Sequence, residues 1–281
     1  MAVSVRRLTR ADVPWAIALT DTEEWGYTAQ DFERLLHLEP DGIFLAESGG
    51  ERVGITATVT YDPLAYVGTV IVDPRWRGKG VGDALMRACL DFCDGRGAES
   101  VRLNAYLNVV PFYERLGFRR EFENRRFAGH PEGRVAPGVR LARPDDLAAM
   151  AELDARYFGA DRARLLRRLM GEFPETSLVL DDMGDVAAFA FGNVGDGSCE
   201  VGPVVCPPER ASQAEDLLHA MFSAANAPCG FTAPSVNEKA VDAARRAGMR
   251  DVFRTVRMVR GSSAFGGDPK GIFALAGLEK G

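Results

Sequence analysis

A strand, a glycine-rich loop and a helix follow one another between Val70 and Cys93, and this order limits the architectures open to the chain. The β-branched run Val70-Ile71-Val72 is typical of a buried strand. Apolar residues recur at helical spacing from Leu85 to Cys93, so an amphipathic helix follows. Glycine has no Cβ and adopts positive φ without strain, so the backbone of this loop can approach a ligand closely.

The loop also carries the features of an anion site. At the start of a helix, unpaired backbone N–H groups and the positive end of the helix dipole face outward. Three basic side chains add charge at the same place: Arg75, Arg77 and Lys79. We therefore expect a phosphate-bearing cofactor here, the alternative being a plain glycine turn between a strand and a helix.

Two common phosphate loops are excluded by the spacing. A P-loop requires Ser or Thr after its lysine, but Gly80 follows Lys79. A dinucleotide fingerprint requires G-x-G-x-x-G, whereas the glycines here alternate at Gly78, Gly80 and Gly82. The pattern that remains is R-x-x-G-x-G, which begins at Arg77.

This pattern resembles the pyrophosphate-binding motif of the GNAT superfamily of N-acetyltransferases, which use acetyl-CoA. A second signature of that family, F-Y-E-x-L-G-F, resembles the segment from Pro111 to Phe118. The element Trp25-Gly26-Tyr27 is similar to a bacterial subgroup that carries a degenerate second domain. The resemblance implies acetyl transfer from acetyl-CoA to a primary amine, which we expect to belong to a small molecule.

The resemblance also implies roles for individual residues. The backbone of Val70, Ile71 and Val72 would pair with the pantetheine arm and polarise the acetyl carbonyl. Tyr113 would be the general acid at the leaving sulfur, the alternative being that its ring only packs. The pyrophosphate would be held by the loop residues Arg77, Gly78, Lys79, Gly80, Val81 and Gly82.

One family position differs in this chain. Tyr106 stands where many relatives have asparagine, so we expect Asn104 to contact CoA instead, with Asn108 as the alternative. For the acceptor side we expect Trp25 and Tyr27, with Tyr61, to shape a pocket. A general base could come from Glu24, Asp62 or Asp31, although each is also compatible with a solvated surface carboxylate.

Internal similarity predicts two tandem domains. Arg7–Asp12 is echoed by Arg140–Asp145, and Val67–Val70 by Val201–Val204. The breaker-rich join lies between Gly129 and Gly138. We therefore predict a catalytic domain over 1–130 and a degenerate GNAT-like domain over 138–281. Each would be an α/β (α+β) unit with a mixed, mostly antiparallel sheet flanked by helices.

The second copy lacks the features that would bind the cofactor. The segment Glu209–Leu217 contains no glycine, and three of its side chains are carboxylates. Ala244 stands opposite Tyr113 when the copies are aligned on Gly117 and Gly248. We expect one CoA site per chain, with the second domain covering or completing the acceptor site. A CoA-binding sensor or scaffold without turnover is the alternative function.

In the first copy, alternating and helical patterns predict six strands and four helices. The strands are Val3–Leu8, Gly42–Ser48, Arg52–Tyr61, Tyr66–Val72, Val101–Ala105 and Arg119–Phe127, and the helices are Ala11–Leu19, Thr28–Leu36, Gly82–Arg96 and Val110–Leu116.

Composition excludes several classes of partner. The net charge of −6 and the pI near 5.3 argue against general binding of nucleic acid or anionic membranes. The N-terminus lacks a signal-peptide core, so we expect a cytoplasmic protein. The five cysteines form no C-x-x-C pair and the three histidines are isolated, so no metal site is expected. An oligomer is possible.

Overall fold

The computed structural model describes residues 2–195, 197–264 and 266–281. Contacts divide the chain into two compact units, one reaching to Leu103 and including Lys280, the other Asn104–Glu279 with Gly281. The helices and strands that begin in the first unit are β1 (Val3–Arg7), α1 (Val13–Asp21), α2 (Ala29–Leu38), β2 (Ile43–Ser48), β3 (Glu51–Tyr61), β4 (Leu64–Val72), α3 (Val81–Gly95) and β5 (Ser100–Tyr106).

The sheet of the first unit has the order β1-β2-β3-β4-β5. All its pairs are antiparallel except β4 with β5, which run parallel. The predicted apolar stripe of α3 is buried, with Leu85, Cys89 and Cys93 fully covered. Leu85 packs with Ala46 and Val53 of the sheet, so burial of this stripe holds the helix and the glycine loop before it against β2 and β3.

Among its described residues, the second unit contains five strands between its first helix and its longest helix, two more after the longest helix, and a short strand near the end of the chain. Its elements are α4 (Val110–Arg115), β6 (Arg119–Gly129), β7 (Val139–Leu141), α5 (Leu147–Phe158), α6 (Ala163–Glu172), β8 (Ser177–Asp182), β9 (Asp185–Gly195), β10 (Ser198–Val205), α7 (Ala211–Ala225), β11 (Cys229–Pro234), α8 (Glu238–Arg246), β12 (Arg250–Gly261) and β13 (Ile272–Ala274).

These elements confirm the predicted fold class, and every predicted strand and helix of the first copy is present with its ends shifted by at most about two residues. The second unit has the strand order β12-β6-β11-β10-β9-β8-β7, with β13 beside β10. In its core, apolar side chains of α7 and α8 pack against the sheet. The sheet contributes the fully buried Phe231 of β11 and Phe273 of β13.

Strand β6 lies between two strands of the second copy. Phe127 of β6 pairs with Phe231 of β11, and Asn124 on the same strand pairs with Thr255 of β12. The last strand of the first sequence copy is therefore part of the sheet of the second unit. For this reason the boundary between the compact units does not coincide with the boundary between the sequence copies. The division into domains 1–130 and 138–281 stays a prediction, which describes the sequence repeat.

An ion pair repeated in both copies corrects the predicted alignment of the repeat by one residue. Arg6 Nη1 lies 2.8 Å from Asp12 Oδ2, and Arg140 Nη1 lies 2.7 Å from Asp146 Oδ2. The hydrogen-bonded guanidinium holds the pKa of each aspartate below its usual range. Arg6, rather than Arg7, is the counterpart of Arg140, because this alignment also matches Asp12 with Asp146.

The join between the copies is packed. Arg134 N donates to the carbonyl of His219, and the ring of His219 contacts the carbonyl of Glu132 at 2.7 Å. Ala136 is buried in the core of the second unit. Over the described residues, none of the helices is long and apolar enough to cross a membrane.

Candidate active site

A β-bulge interrupts β4 where the pantetheine arm is expected. The pairing with β3 shifts between Ile55–Ile71 and Ala57–Gly68, and Thr69 between them has φ +52°. A β-branched residue rarely takes such a φ, so the bulge is a specific feature of this strand. It turns the backbone just before Val70.

The same strand separates from its other neighbour at this point. Its parallel ladder with β5 runs from Leu64 to Tyr66, against Ser100 to Arg102. Beyond Tyr66 no strand pairs with that edge of β4 in the part of the chain that the structure describes. The edge of Val70–Val72 that faces β5 is therefore open to a ligand that forms backbone hydrogen bonds.

The glycine loop after β4 leaves space at the N-terminus of α3. Gly78 has φ +73° and Gly80 has φ +81°, and a Cβ built on either would meet no atom within 4 Å. Asp73 accepts a hydrogen bond of 2.9 Å from Arg75 N and so caps the turn that precedes the loop. The hydrogen-bonded Arg75 side chain holds the pKa of Asp73 below its usual value.

Arg77 is held by two oxygen acceptors. Its Nε donates to the carbonyl of Val72 at 3.1 Å, and its Nη2 forms an ion pair with Glu23. The Nζ of Lys79 lies 4.8 Å from the ring centroid of Trp76, which keeps this second charge beside the loop. The Glu23 carboxylate thus competes for the guanidinium that an incoming pyrophosphate would use.

Replacing Glu23 with glutamine should tighten CoA binding by up to about fivefold. The substitution removes the competing carboxylate, and an exposed ion pair is worth up to about 1 kcal/mol. Titration calorimetry with CoA measures the dissociation constant. Asp21→Asn, two residues away, controls for the loss of one negative charge. Equal or weaker affinity in Glu23→Gln would contradict a competition for Arg77.

Two of the predicted acceptor residues lie at the bulge. The hydroxyl of Tyr27 is 3.1 Å from Thr69 Oγ1, and the ring of Trp25 is 6.3 Å from that of Tyr27. Glu24, which precedes Trp25, is exposed. Asp62 is also exposed, but it lies in the turn before β4, and the strand from Leu64 to Val70 spans about 20 Å. The structure therefore does not bring Asp62 to the bulge.

Asp31 has a structural role that the sequence did not reveal. Its carboxylate accepts hydrogen bonds from Thr28 N and Thr28 Oγ1, and another from Arg34 at 2.8 Å. Burial raises the pKa of Asp31, but the bonds from Thr28 and the charges of Lys280 and Arg34 outweigh it and hold this pKa below its ordinary value. A carboxylate stabilised in this way is a poor general base.

Lys280 is a further residue that sequence reasoning missed. It is buried, it groups with the first unit, and its carbonyl accepts a hydrogen bond of 3.1 Å from the hydroxyl of Tyr61. Tyr61 is thereby engaged by the backbone of Lys280. No local pattern could have indicated this contact, because 219 positions separate the two residues.

The remaining predicted residues belong to the second unit. Tyr113 is 7% exposed in α4, and its ring lies 5.0 Å from that of Phe112 and 6.0 Å from that of Phe118. The amide of Asn104 donates to the carbonyl of Leu278 at 2.7 Å and accepts from Asn124 at 2.8 Å. The side-chain nitrogen and oxygen of Asn104 thus both have partners within the protein, while Asn108 is exposed.

Residues 11–118 match the model of the Acetyltransferase (GNAT) family, and residues 150–274 match that of the Acetyltransferase (GNAT) domain. Holothin acyltransferase of Pseudoalteromonas sp. (strain SANK 73390) is 30% identical over 275 residues, which are 95% of this chain and 89% of that protein. The chain belongs to the GNAT family. It is an acyltransferase with two GNAT domains in tandem, as predicted from its motifs.

Other GNAT relatives match parts of the chain or its fold. Mycothiol acetyltransferase of Thermobispora bispora is 37% identical over 119 residues, 37% of this GNAT chain and 40% of that enzyme. A Pyrococcus horikoshii protein of known structure aligns with a TM-score of 0.83 at 24% identity, covering 99% of this chain and 96% of its own. This alignment supports the fold over both units.

Proposed function

We propose that this GNAT protein transfers an acetyl group from acetyl-CoA to a primary amine of a small molecule. The observation that carries the proposal is one continuous surface of the first unit. It runs from the open glycine loop at the start of α3, along the free edge of β4, to the bulge that Tyr27 contacts.

Acetyl-CoA fits the residues of this surface. The space that a Cβ would fill at Gly78 and Gly80 is open, so phosphate oxygens can approach the backbone N–H groups at the helix start. Arg77 and Lys79 add two positive charges beside the loop. The edge of β4 at Val70–Val72 that is turned away from β3 can form hydrogen bonds with the amide groups of a pantetheine arm, and Arg77 Nε already contacts the carbonyl of Val72 there.

Acetyl-CoA supplies an acetyl group already activated as a thioester. We assign to the backbone N–H groups near Val70 the orientation and polarisation of the acetyl carbonyl. Tyr113 is assigned as the donor of a proton to the departing sulfur, because a phenol hydroxyl can act as a general acid. Glu24, exposed beside Trp25, is assigned as the base that takes the proton of the attacking amine.

The names of the relatives support a small amine as acceptor. They include holothin acyltransferase, mycothiol acetyltransferase and the glucosamine 6-phosphate N-acetyltransferase of Trypanosoma brucei brucei, which is 38% identical over 85 residues, 57% of that enzyme. The test measures thiol release from acetyl-CoA with holothin, glucosamine 6-phosphate, amino acids and polyamines, with mass spectrometry of the products. CoA binding without acetylation of any amine would instead favour a sensor or scaffold.

CoA should bind once per chain. The loop at α3 is rich in glycine, whereas α7 in the second unit follows a short 3-10 turn, Pro208–Arg210, and the segment Glu209–Leu217 contains no glycine. Side chains therefore crowd the backbone where a pyrophosphate would approach. Titration calorimetry should give one site, and two equivalent sites would contradict the proposed division of roles.

We also propose that the protein resides in the cytoplasm. The five cysteines are free and buried in the structure, which is compatible with a reducing compartment. Fractionation of cells that express the full chain tests this location. Recovery in a secreted or membrane fraction would contradict it.

A further inference from the structure

The repeat defines which residues of the second unit correspond to the free edge of β4. The paired ions Arg6 and Arg140 are 134 positions apart, and the sequence echo of Val67–Val70 in Val201–Val204 keeps the same spacing, so Thr69 corresponds to Pro203. The counterparts of Val70, Ile71 and Val72 are therefore Val204, Val205 and Cys206.

These three counterparts have a strand beside them. Val204 pairs with Ala274 and Val205 with Ile272, both in β13. Cys206 N donates to the carbonyl of Gly271 at 3.0 Å. The backbone edge that is open in the first unit is thus closed in the second by residues 271–274 of the same chain.

β13 lies in a cleft between two diverging strands. The parallel ladder of β10 with β11 contains Cys199–Cys229 and Glu200–Gly230 and goes no further among the described residues. Beyond it, β13 pairs with β10 on one side, and on the other Leu275 N donates to the carbonyl of Thr232 in β11 at 2.9 Å. We call this space, lined by Val204–Cys206 and Thr232, the strand cleft.

Side chains and close backbone contacts complete the fit. Asn237 Nδ2 donates to the carbonyl of Ile272 at 2.9 Å, and Phe273 is fully buried. A Cβ built on Gly202 would lie 1.8 Å from the carbonyl oxygen of Leu275, so only glycine permits this approach. The strand cleft therefore accepts an extended backbone with apolar side chains through both hydrogen bonds and shape.

We propose that the strand cleft is a peptide-binding site that takes an extended apolar strand, and that its resident ligand is the segment 271–275 of the same chain. The segment binds by strand addition, with main-chain hydrogen bonds for affinity and buried side chains for specificity. The segment 271–275 occupies the position that corresponds to a pantetheine arm bound at β4, and this correspondence rests on the proposed function. The peptide site itself rests only on contacts within the second unit.

The first test weakens one contact in the full chain. Asn237→Asp keeps the oxygen that caps α8 through Ala240 N at 3.1 Å, but it removes the donor to Ile272. Hydrogen exchange measured by mass spectrometry should become on the order of tenfold faster over residues 271–275, corresponding to about 1.4 kcal/mol. Glu238→Gln is the control on the same helix. An unchanged rate in Asn237→Asp would argue against the site.

The second test supplies the ligand in trans. Leu275→Pro removes the N–H that bonds Thr232, whereas the matched variant Leu275→Ala retains it. A synthetic peptide of residues 268–279 should bind the Leu275→Pro chain and slow exchange in β10, but it should not bind the wild type, whose cleft is occupied. A scrambled peptide is the control. Absence of peptide binding by folded Leu275→Pro would overturn the proposal, and if that variant unfolds, the Asn237→Asp result decides.

A third measurement separates this proposal from the proposed function. CoA titrations of Asn237→Asp should still give one site, because the glycine loop of the first unit is untouched. A wild-type chain that binds no CoA would remove the proposed function and leave the exchange and peptide results standing. A second CoA site appearing when the segment is loosened would show that the cleft takes a cofactor and would overturn the peptide assignment.

Discussion

Replacing Gly80 with aspartate should weaken CoA binding on the order of 100-fold more than replacing it with asparagine. Gly80 has φ +81° and its Cβ position is open, so either side chain projects into the space assigned to the pyrophosphate. Two opposite unit charges 4 Å apart near a protein surface attract by about 4 kcal/mol, and like charges repel equally. Screening lowers this figure, and about 2.7 kcal/mol already corresponds to 100-fold.

Asparagine is the matched control because it has the size of aspartate and both tolerate the left-handed conformation. Calorimetry gives both dissociation constants, and thermal unfolding shows whether the two variants are equally folded. Affinities that are equal for Gly80→Asp and Gly80→Asn would show that no anion is bound at this helix start. Wild-type affinity in both would assign the loop another purpose.

Replacing Tyr113 with phenylalanine should lower kcat by about 10²–10⁴-fold, the usual contribution of a general acid. Phenylalanine keeps the ring that packs between Phe112 and Phe118, so the fold and the affinity for CoA should stay nearly unchanged. Steady-state kinetics with an amine found in the acceptor screen gives kcat, and calorimetry gives the CoA affinity.

A smaller loss would define a different role for this tyrosine. If the hydroxyl only donates a hydrogen bond, kcat should fall about tenfold, since this factor corresponds to about 1.4 kcal/mol. Tyr106→Phe removes a hydroxyl from another ring, which packs against Phe253, and is the matched control. Wild-type turnover in Tyr113→Phe, with a chemical step shown to limit the rate, would exclude Tyr113 from the mechanism.

Much of the first unit could be predicted because its signals are local. The alternation of β3, the apolar stripe of α3 and the glycines after β4 each depend on neighbours a few positions away. The family motif R-x-x-G-x-G lies in the same glycine loop. The sequence alone therefore determined the fold class, the family and the place where a phosphate group could approach a helix start.

The candidate site contains contacts that no local pattern encodes. Glu23 pairs with Arg77 across 54 positions, and Tyr61 donates to the carbonyl of Lys280 across 219. Asp31 was predicted as a possible base from its position alone, but its hydrogen bonds with Thr28 lower its pKa and give it a capping role. A side chain's protonation depends on its partners, and these are known only after folding.

Strand pairing was decided by the tertiary structure. Sequence patterns predicted that β6 is a strand, but alternation specifies only which faces are buried and leaves the partner strand open. β6 joined β11 and β12 of the second unit. The short strand β13 was not predicted, and it entered the cleft beside β10. The sequence determined the elements and the motif, whereas long-range backbone hydrogen bonds, which depend little on side-chain identity, determined how those elements were combined.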